Sequence, residues 1–308
     1  MNSKHLKSLS LISIFLLLFS CQSNDNTSTN IEIKPPTIIK ETINKIIPEP
    51  KVYEEFDRTK SKQRIADKIA NDQPLVVHVM VPLCDNDHQG IVPVNKTLGD
   101  GFNPRTNLYW GALYGIKTHF KKQANWQLVS AEQNLSEAVL ERVIFYQEFP
   151  NKAKVYVVAD AYRGDKMEAC LIDFFEGTSG ASAKTIEAKS TKLGVYSNAD
   201  LLVMNGHNGL MDVDVKHYES IDNKVRDVGL ICCITASYFR EHLLHSKAYP
   251  VLSTNNLMAP EAYVLNGLIG SWANQKTEKE IHSSVAQAYH QYQKCGINGA
   301  GRLFRVGW

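Results

Sequence analysis

Short apolar runs, each ending in a cluster of small polar residues, set the architecture of this chain. They lie at residues 75–81 (LVVHVMV), 154–160 (KVYVVAD), 200–204 (DLLVM), 228–232 (VGLIC) and 250–253 (PVLS). Continuous β-branched runs of this length suit strands buried on both faces, because a strand with one wet face alternates polar and apolar residues. Segments 65–69, 108–120, 135–146, 167–176, 262–274 and 279–293 have helical spacing between and around these runs. Strands alternating with helices predict an α/β fold: a three-layer sandwich with a mostly parallel sheet and helices on both faces. In such sheets a ligand site lies beyond the carboxyl ends of the strands.

The polar residues at those ends are therefore the first candidates. They are Cys84, Asp85, Asn86, Asp87 and His88 after the first run, and Asp160, Tyr162, Arg163 and Gly164 after the second. Asn205, Gly206, His207, Asn208 and Gly209 follow the third; Cys232, Cys233, Thr235 and Ser237 the fourth; Thr254, Asn255 and Asn256 the last. The loop after the first run, CDNDHQGIVPVNKTLGDGFNPRTN, is long and rich in Asp, Asn and Gly, which favours a functional role over a plain connection. Tyr109, Trp110, Tyr114 and Phe120 are expected to pack in the core, although Trp110 with the rim tyrosines and asparagines could also hold a ligand. His242, His245 and His282 are expected on the surface.

Charge and cysteine content narrow the function. The net charge of +2, with lysines scattered among acids, argues against a nucleic-acid surface. Six cysteines are present; after Cys21 the remaining ones, Cys84, Cys170, Cys232, Cys233 and Cys295, are odd in number and do not form a disulfide framework. At least one thiol is expected to be free. Asp85, Asp87 and His88, joined by His207, make an N/O set that could suit zinc or a similar ion. Asp-x-Asp in a loop is equally ordinary turn chemistry, and no HExxH or paired-cysteine motif occurs. No metal and no cofactor is assigned on this reading.

The first residues carry a different signal. Lys4 and Lys7 precede an apolar stretch, 9–19 (LSLISIFLLLF), too short for a permanent span of about 20 residues. The sequence Leu18-Phe19-Ser20-Cys21 resembles the lipobox of bacterial lipoproteins. That resemblance implies a signal peptide over 1–20, cleavage before Cys21 and lipidation of its thiol and new amino group. It further implies attachment to a membrane of the cell envelope through the lipid. Gln22, which is not an inner-membrane retention aspartate, favours the outer membrane, on its periplasmic or surface side. Asn, Ser and Thr dominate 22–30 and four prolines follow, so 21–60 reads as a disordered tether to a single α/β domain over 61–308.

One pair of strand ends resembles an enzyme family. LLVMNGHNG places His207 after one strand, and VGLICCITAS places Cys232 or Cys233 after the next. This arrangement resembles the caspase-like cysteine peptidases: caspases, legumains, gingipains and clostripain. Cys233 matches the nucleophile better than Cys232, because the apolar run ends before it and Thr235 follows. Asn208 departs from the family pattern, which has glycine directly after the histidine. The gap from 207 to 233 is 26 residues, against about 50 in caspases. The resemblance implies a thiol-dependent hydrolase acting on a peptide or protein, with a Cys/His dyad and an oxyanion site at the N–H groups of Gly209 and Cys233. Arg163 is then a candidate reader of a substrate carboxylate, Asp85, Asp87 or His88 of a basic or polar group, and Asn205 a further binding residue. A metal-dependent hydrolase and a non-enzymatic ligand-binding lipoprotein are the alternatives on the same scaffold.

Overall fold

The computed structural model describes residues 54–308. The expected leader 1–20, the expected lipidation site Cys21 and nearly all of the expected tether lie outside the described residues. In chain order the elements are α1 (Thr59–Ala70), β1 (Leu75–Pro82), α2 (Ile116–Lys122), β2 (Gln127–Gln133), β3 (Val139–Glu148), β4 (Lys154–Tyr162) and α3 (Met167–Ser179). They continue with β5 (Ala183–Ala188), β6 (Thr191–Tyr196), β7 (Leu201–Asn205), β8 (Arg226–Ile231), α4 (Thr235–Tyr238), α5 (Arg240–Ser246) and β9 (Ala248–Thr254). The chain closes with α6 (Ala262–Ala273), α7 (Glu278–Gln293), α8 (Ile297–Leu303) and β10 (Phe304–Arg305).

Eight strands form one sheet in the order β10-β9-β8-β7-β1-β4-β3-β2, and β5 and β6 form a separate hairpin. The pairs β4·β1, β1·β7, β7·β8 and β8·β9 are parallel; β2, β3 and β10 are antiparallel additions at the edges. The expected α/β class with a mostly parallel sheet flanked by helices is thus the fold observed. Winding runs outward from β1 to β4 on one side and to β7 on the other, so the strand order reverses at β1/β7. Carboxyl ends that part at such a point leave a crevice.

The two faces of the sheet bury different helices. Val77, Val79 and Val81 of β1 join a core with α2, α6 and α7, whereas Val76 and Met80 pack with Phe174 and Phe175 of α3 and Leu243 of α5. This is the period-two alternation of a strand covered on both sides. Helix α7 starts at a capping box between Thr277 and Glu280, and α3 ends at Gly180, whose φ of 97° suits glycine.

Two expected helices resolve differently. Residues 135–146 supply β3 instead, an antiparallel partner of both β2 and β4. Val139, Leu140, Val143 and Ile144 mimic helical spacing because the inward alternation is interrupted by Glu141, a buried charge. Its carboxylate accepts from Trp110 Nε1 at 2.6 Å and pairs with Lys117. Of 108–120, only the part from Ile116 is helical; before it the chain turns at Gly111 and Gly115, where a Cβ would strike the backbone of Arg105 and Trp110. Trp110 is fully buried and belongs to the core, not to a binding rim.

The folded unit also begins before residue 61. Phe56 packs edge-on against Trp308 at 5.1 Å, and the buried Arg58 pairs with Asp227. His242, expected on the surface, is buried and stacked 4.4 Å from Phe175. No described helix is long and apolar enough to cross a membrane.

Candidate functional site

The turns that follow β7 and β8 face a common cavity of about 380 Å³ beside the β1/β7 crevice. Gly206 and His207 enter from β7, Cys233 from β8, Tyr109 and the segment from Gly90 to Val94 from the long loop after β1, and Leu257, Met258 and Pro260 from the turn after β9. Gly206 allows the turn to leave the strand: its φ is 152°, and a Cβ there would lie 3.1 Å from the Pro82 carbonyl oxygen.

His207 is held from one side. Its Nε2 lies 2.7 Å from Asp212 Oδ2, and the same oxygen accepts from the Gly90 N–H at 3.0 Å. The imidazole is buried, with Nδ1 as its second nitrogen. Asp212 reaches it because a short 3-10 turn, Gly209–Met211, folds the chain back, with the Asn208 side chain accepting from Leu210 N at 3.1 Å. The Asn208 amide donates in turn to the Cys233 carbonyl at 2.7 Å, tying the histidine turn to the cysteine turn.

Cys233 sits on a strained corner. Ile234, next to it, has φ 52° and ψ 34°, a left-handed conformation that is costly for a β-branched residue. Neighbouring bonds hold it there: Ile234 N donates to Asn256 O at 3.1 Å, and Thr235 N to Thr254 Oγ1 at 3.1 Å. The Cys233 sulfur accepts from Met258 N at 3.4 Å and donates to Met258 O at 3.6 Å. Cys233 is half-buried; Cys84, Cys170 and Cys232 are fully buried, Cys295 is exposed, and all five are free. Burial pushes the Cys232 thiol well up and that of Cys84 to about 11, so neither is a ready thiolate.

No family model, curated protein or solved structure matches this chain.

The other expected site residues fall elsewhere. Gly209 does not line the cavity; it is buried against Met167 and Leu171, and a Cβ there would lie 2.4 Å from the Met167 side chain. Asn205 is wholly buried and donates to Pro260 O at 2.8 Å, fastening the turn before α6; its Oδ1 has no partner among the described residues. Arg163 is bidentate with Asp165 and lies over the Phe102 ring at 5.0 Å, away from the cavity. Asp160, expected at a strand end, is inside β4, where Arg142 and His78 hold its buried carboxylate below the usual range despite desolvation.

Asp85, Asp87 and His88 build the loop. Asp85 accepts from the N–H groups of Asp87 and His88 and from His88 Nδ1 at 2.9 Å, and this ion pair raises the His88 pKa. Asn86 clamps Val94 through both its amide groups, at 2.9 Å each. The polar loop thereby presents an apolar wall, Ile91 to Val94, to the cavity. Among the described residues no group of three or more His, Cys, Asp or Glu side chains is arranged to hold a metal ion.

Sequence reasoning missed Asp212, the bridging role of Asn208 and the apolar wall. An acid five residues after a histidine in GHNGLMD was the available signal for Asp212, but only the 3-10 turn brings the two together.

Proposed function

We propose that this protein is a thiol-dependent hydrolase of peptides or proteins, with Cys233 as nucleophile, His207 as base and Asp212 orienting the imidazole. The observation that carries this is the shared cavity: His207, fixed by Asp212, and the least buried strand-end thiol open onto the same space at the carboxyl ends of adjacent parallel strands. His207 takes the thiol proton as sulfur attacks the scissile carbonyl carbon. It then returns that proton to the leaving amine as the C–N bond breaks, leaving a thioester. Water, deprotonated by His207, hydrolyses the thioester and restores the thiol.

The test is hydrolysis of a peptide library by the full chain, alongside Cys233→Ala, His207→Ala and Cys232→Ala. Loss of turnover in the first two, with activity kept in the third and in the presence of a chelator, is the expected result. Turnover that survives Cys233→Ala and vanishes with chelator instead supports a metal-dependent hydrolase.

A second reading is a ligand-binding lipoprotein without catalysis. It is favoured by the sulfur's hydrogen bonds, which run to the Met258 main chain rather than to His207. Catalysis then requires the thiol to rotate as substrate binds, a tightening common at catalytic sites. We also propose attachment to the cell envelope through Cys21; metabolic labelling with a radioactive fatty acid, lost in Cys21→Ser, tests it.

A further inference from the structure

We infer that the cavity beside His207 and Cys233 selects an apolar, uncharged side chain, so that the substrate is a peptide with a residue such as leucine, methionine or phenylalanine next to the bond presented to Cys233. The inference deepens the hydrolase reading and depends on it only for where the scissile bond lies.

Ile91, Val92, Val94, Met211, Leu257 and Met258 dominate the walls, and no lysine, arginine, aspartate or glutamate among the described residues lines the space. Asp212, next to the cavity, is engaged through its Oδ2 with His207 Nε2 and Gly90 N. Of the charged groups expected to read a charged side chain, Arg163 is closed on Asp165 and Asp85 on His88, while Asp87 is exposed and does not line the space. An arginine or aspartate entering this space would lose water and meet no lysine, arginine, aspartate or glutamate on the walls, which is unfavourable.

The mouth is apolar as well. Val92 is 87% exposed, Leu257 65% and Met211 40%, all on the rim of this one cavity. Large apolar side chains left in water around a concave site mark a surface that is covered when occupied. The volume, about 380 Å³, lies within the range of small-ligand sites and suits one side chain with its flanking main chain.

The test measures how far acetylated amino-acid amides protect Cys233 from iodoacetamide, read by mass spectrometry on the full chain with exposed Cys295 as the internal control. N-acetyl-leucinamide and N-acetyl-phenylalaninamide are expected to slow alkylation of Cys233, and the arginine and aspartate amides to protect roughly ten- to a hundredfold less well, the selectivity expected from burying one such side chain. Val92→Asp and Leu257→Asp, at exposed positions that folding does not need, are expected to weaken protection by the leucine amide. Equal or better protection by a charged amide, or none by the apolar ones, overturns the inference. Peptide turnover is scored separately: protection without turnover of any peptide removes the hydrolase reading and leaves the apolar selectivity standing.

Discussion

The side-chain amide of Asn208 donates to the main-chain carbonyl of Cys233 at 2.7 Å, while its own oxygen accepts from Leu210 N. One fully buried side chain thus sets the spacing between the histidine turn and the cysteine turn. Glycine at this position would allow the turn but could not bridge it. Asn208→Ala leaves a carbonyl and an N–H without these partners, at a cost of about 1–3 kcal/mol. Thermal unfolding should register that loss, and Cys233 alkylation should change in rate while Cys295 does not.

In the proposed mechanism Asp212 orients His207 and does not touch substrate, so Asp212→Asn should leave the fold nearly intact but disturb the tautomer and orientation of the ring. Comparable Asp→Asn changes lower kcat by up to roughly 10⁴. The expected signature is a large fall in kcat with KM little changed, and a shifted pH profile. Gly90→Ala should reproduce part of it, because a Cβ there would sit 2.4 Å from Asp212 Oδ1. A KM effect alone would argue against the positioning role.

Thiol reactivity should divide by burial. Iodoacetamide on the native protein should modify Cys233 and Cys295, leaving Cys84, Cys170 and Cys232 unmodified until urea exposes them. Burial and raised pKa both oppose their reaction. Modification of Cys232 before Cys233 would reverse the assignment of the two.

The pH dependence of stability should carry the mark of His242. Burial lowers its pKa to about 4, and its Nδ1 has no partner among the described residues. In the unfolded chain the ring titrates near 6.5, so between about 6.5 and 4 the unfolded state binds more protons and stability falls as pH falls. The loss is complete below the folded pKa. His242→Phe, which can keep the stacking on Phe175, should flatten the melting temperature across that window.

The segment before α1 should prove part of the fold. Arg58, Ser61 and Trp272 all donate to the buried Asp227, the last at 2.9 Å. Removing the carboxylate in Asp227→Ala leaves a buried arginine unpaired, which typically costs about 3–5 kcal/mol. Urea unfolding of that variant, and of a chain shortened past Arg58, should show similar losses.

What the sequence determined by itself was the parallel core and its strand ends. Five continuous apolar runs became β1, β4, β7, β8 and β9, because strands covered on both faces need no polar alternation and leave an unbroken signature. The same logic put His207 and Cys233 on neighbouring strand ends. It misread β3 because Glu141 is buried by partners 31 and 24 residues away in the chain, Trp110 and Lys117, and no local pattern announces such a pair. Only the tertiary structure decided which polar residues face the cavity. Asp85, His88 and Arg163 close on near neighbours, whereas Asp212 reaches His207 through a turn, and apolar residues from three separate loops form the walls. Side-chain direction at a loop depends on contacts distant in sequence, and those contacts exist only once the sheet has brought the loops together.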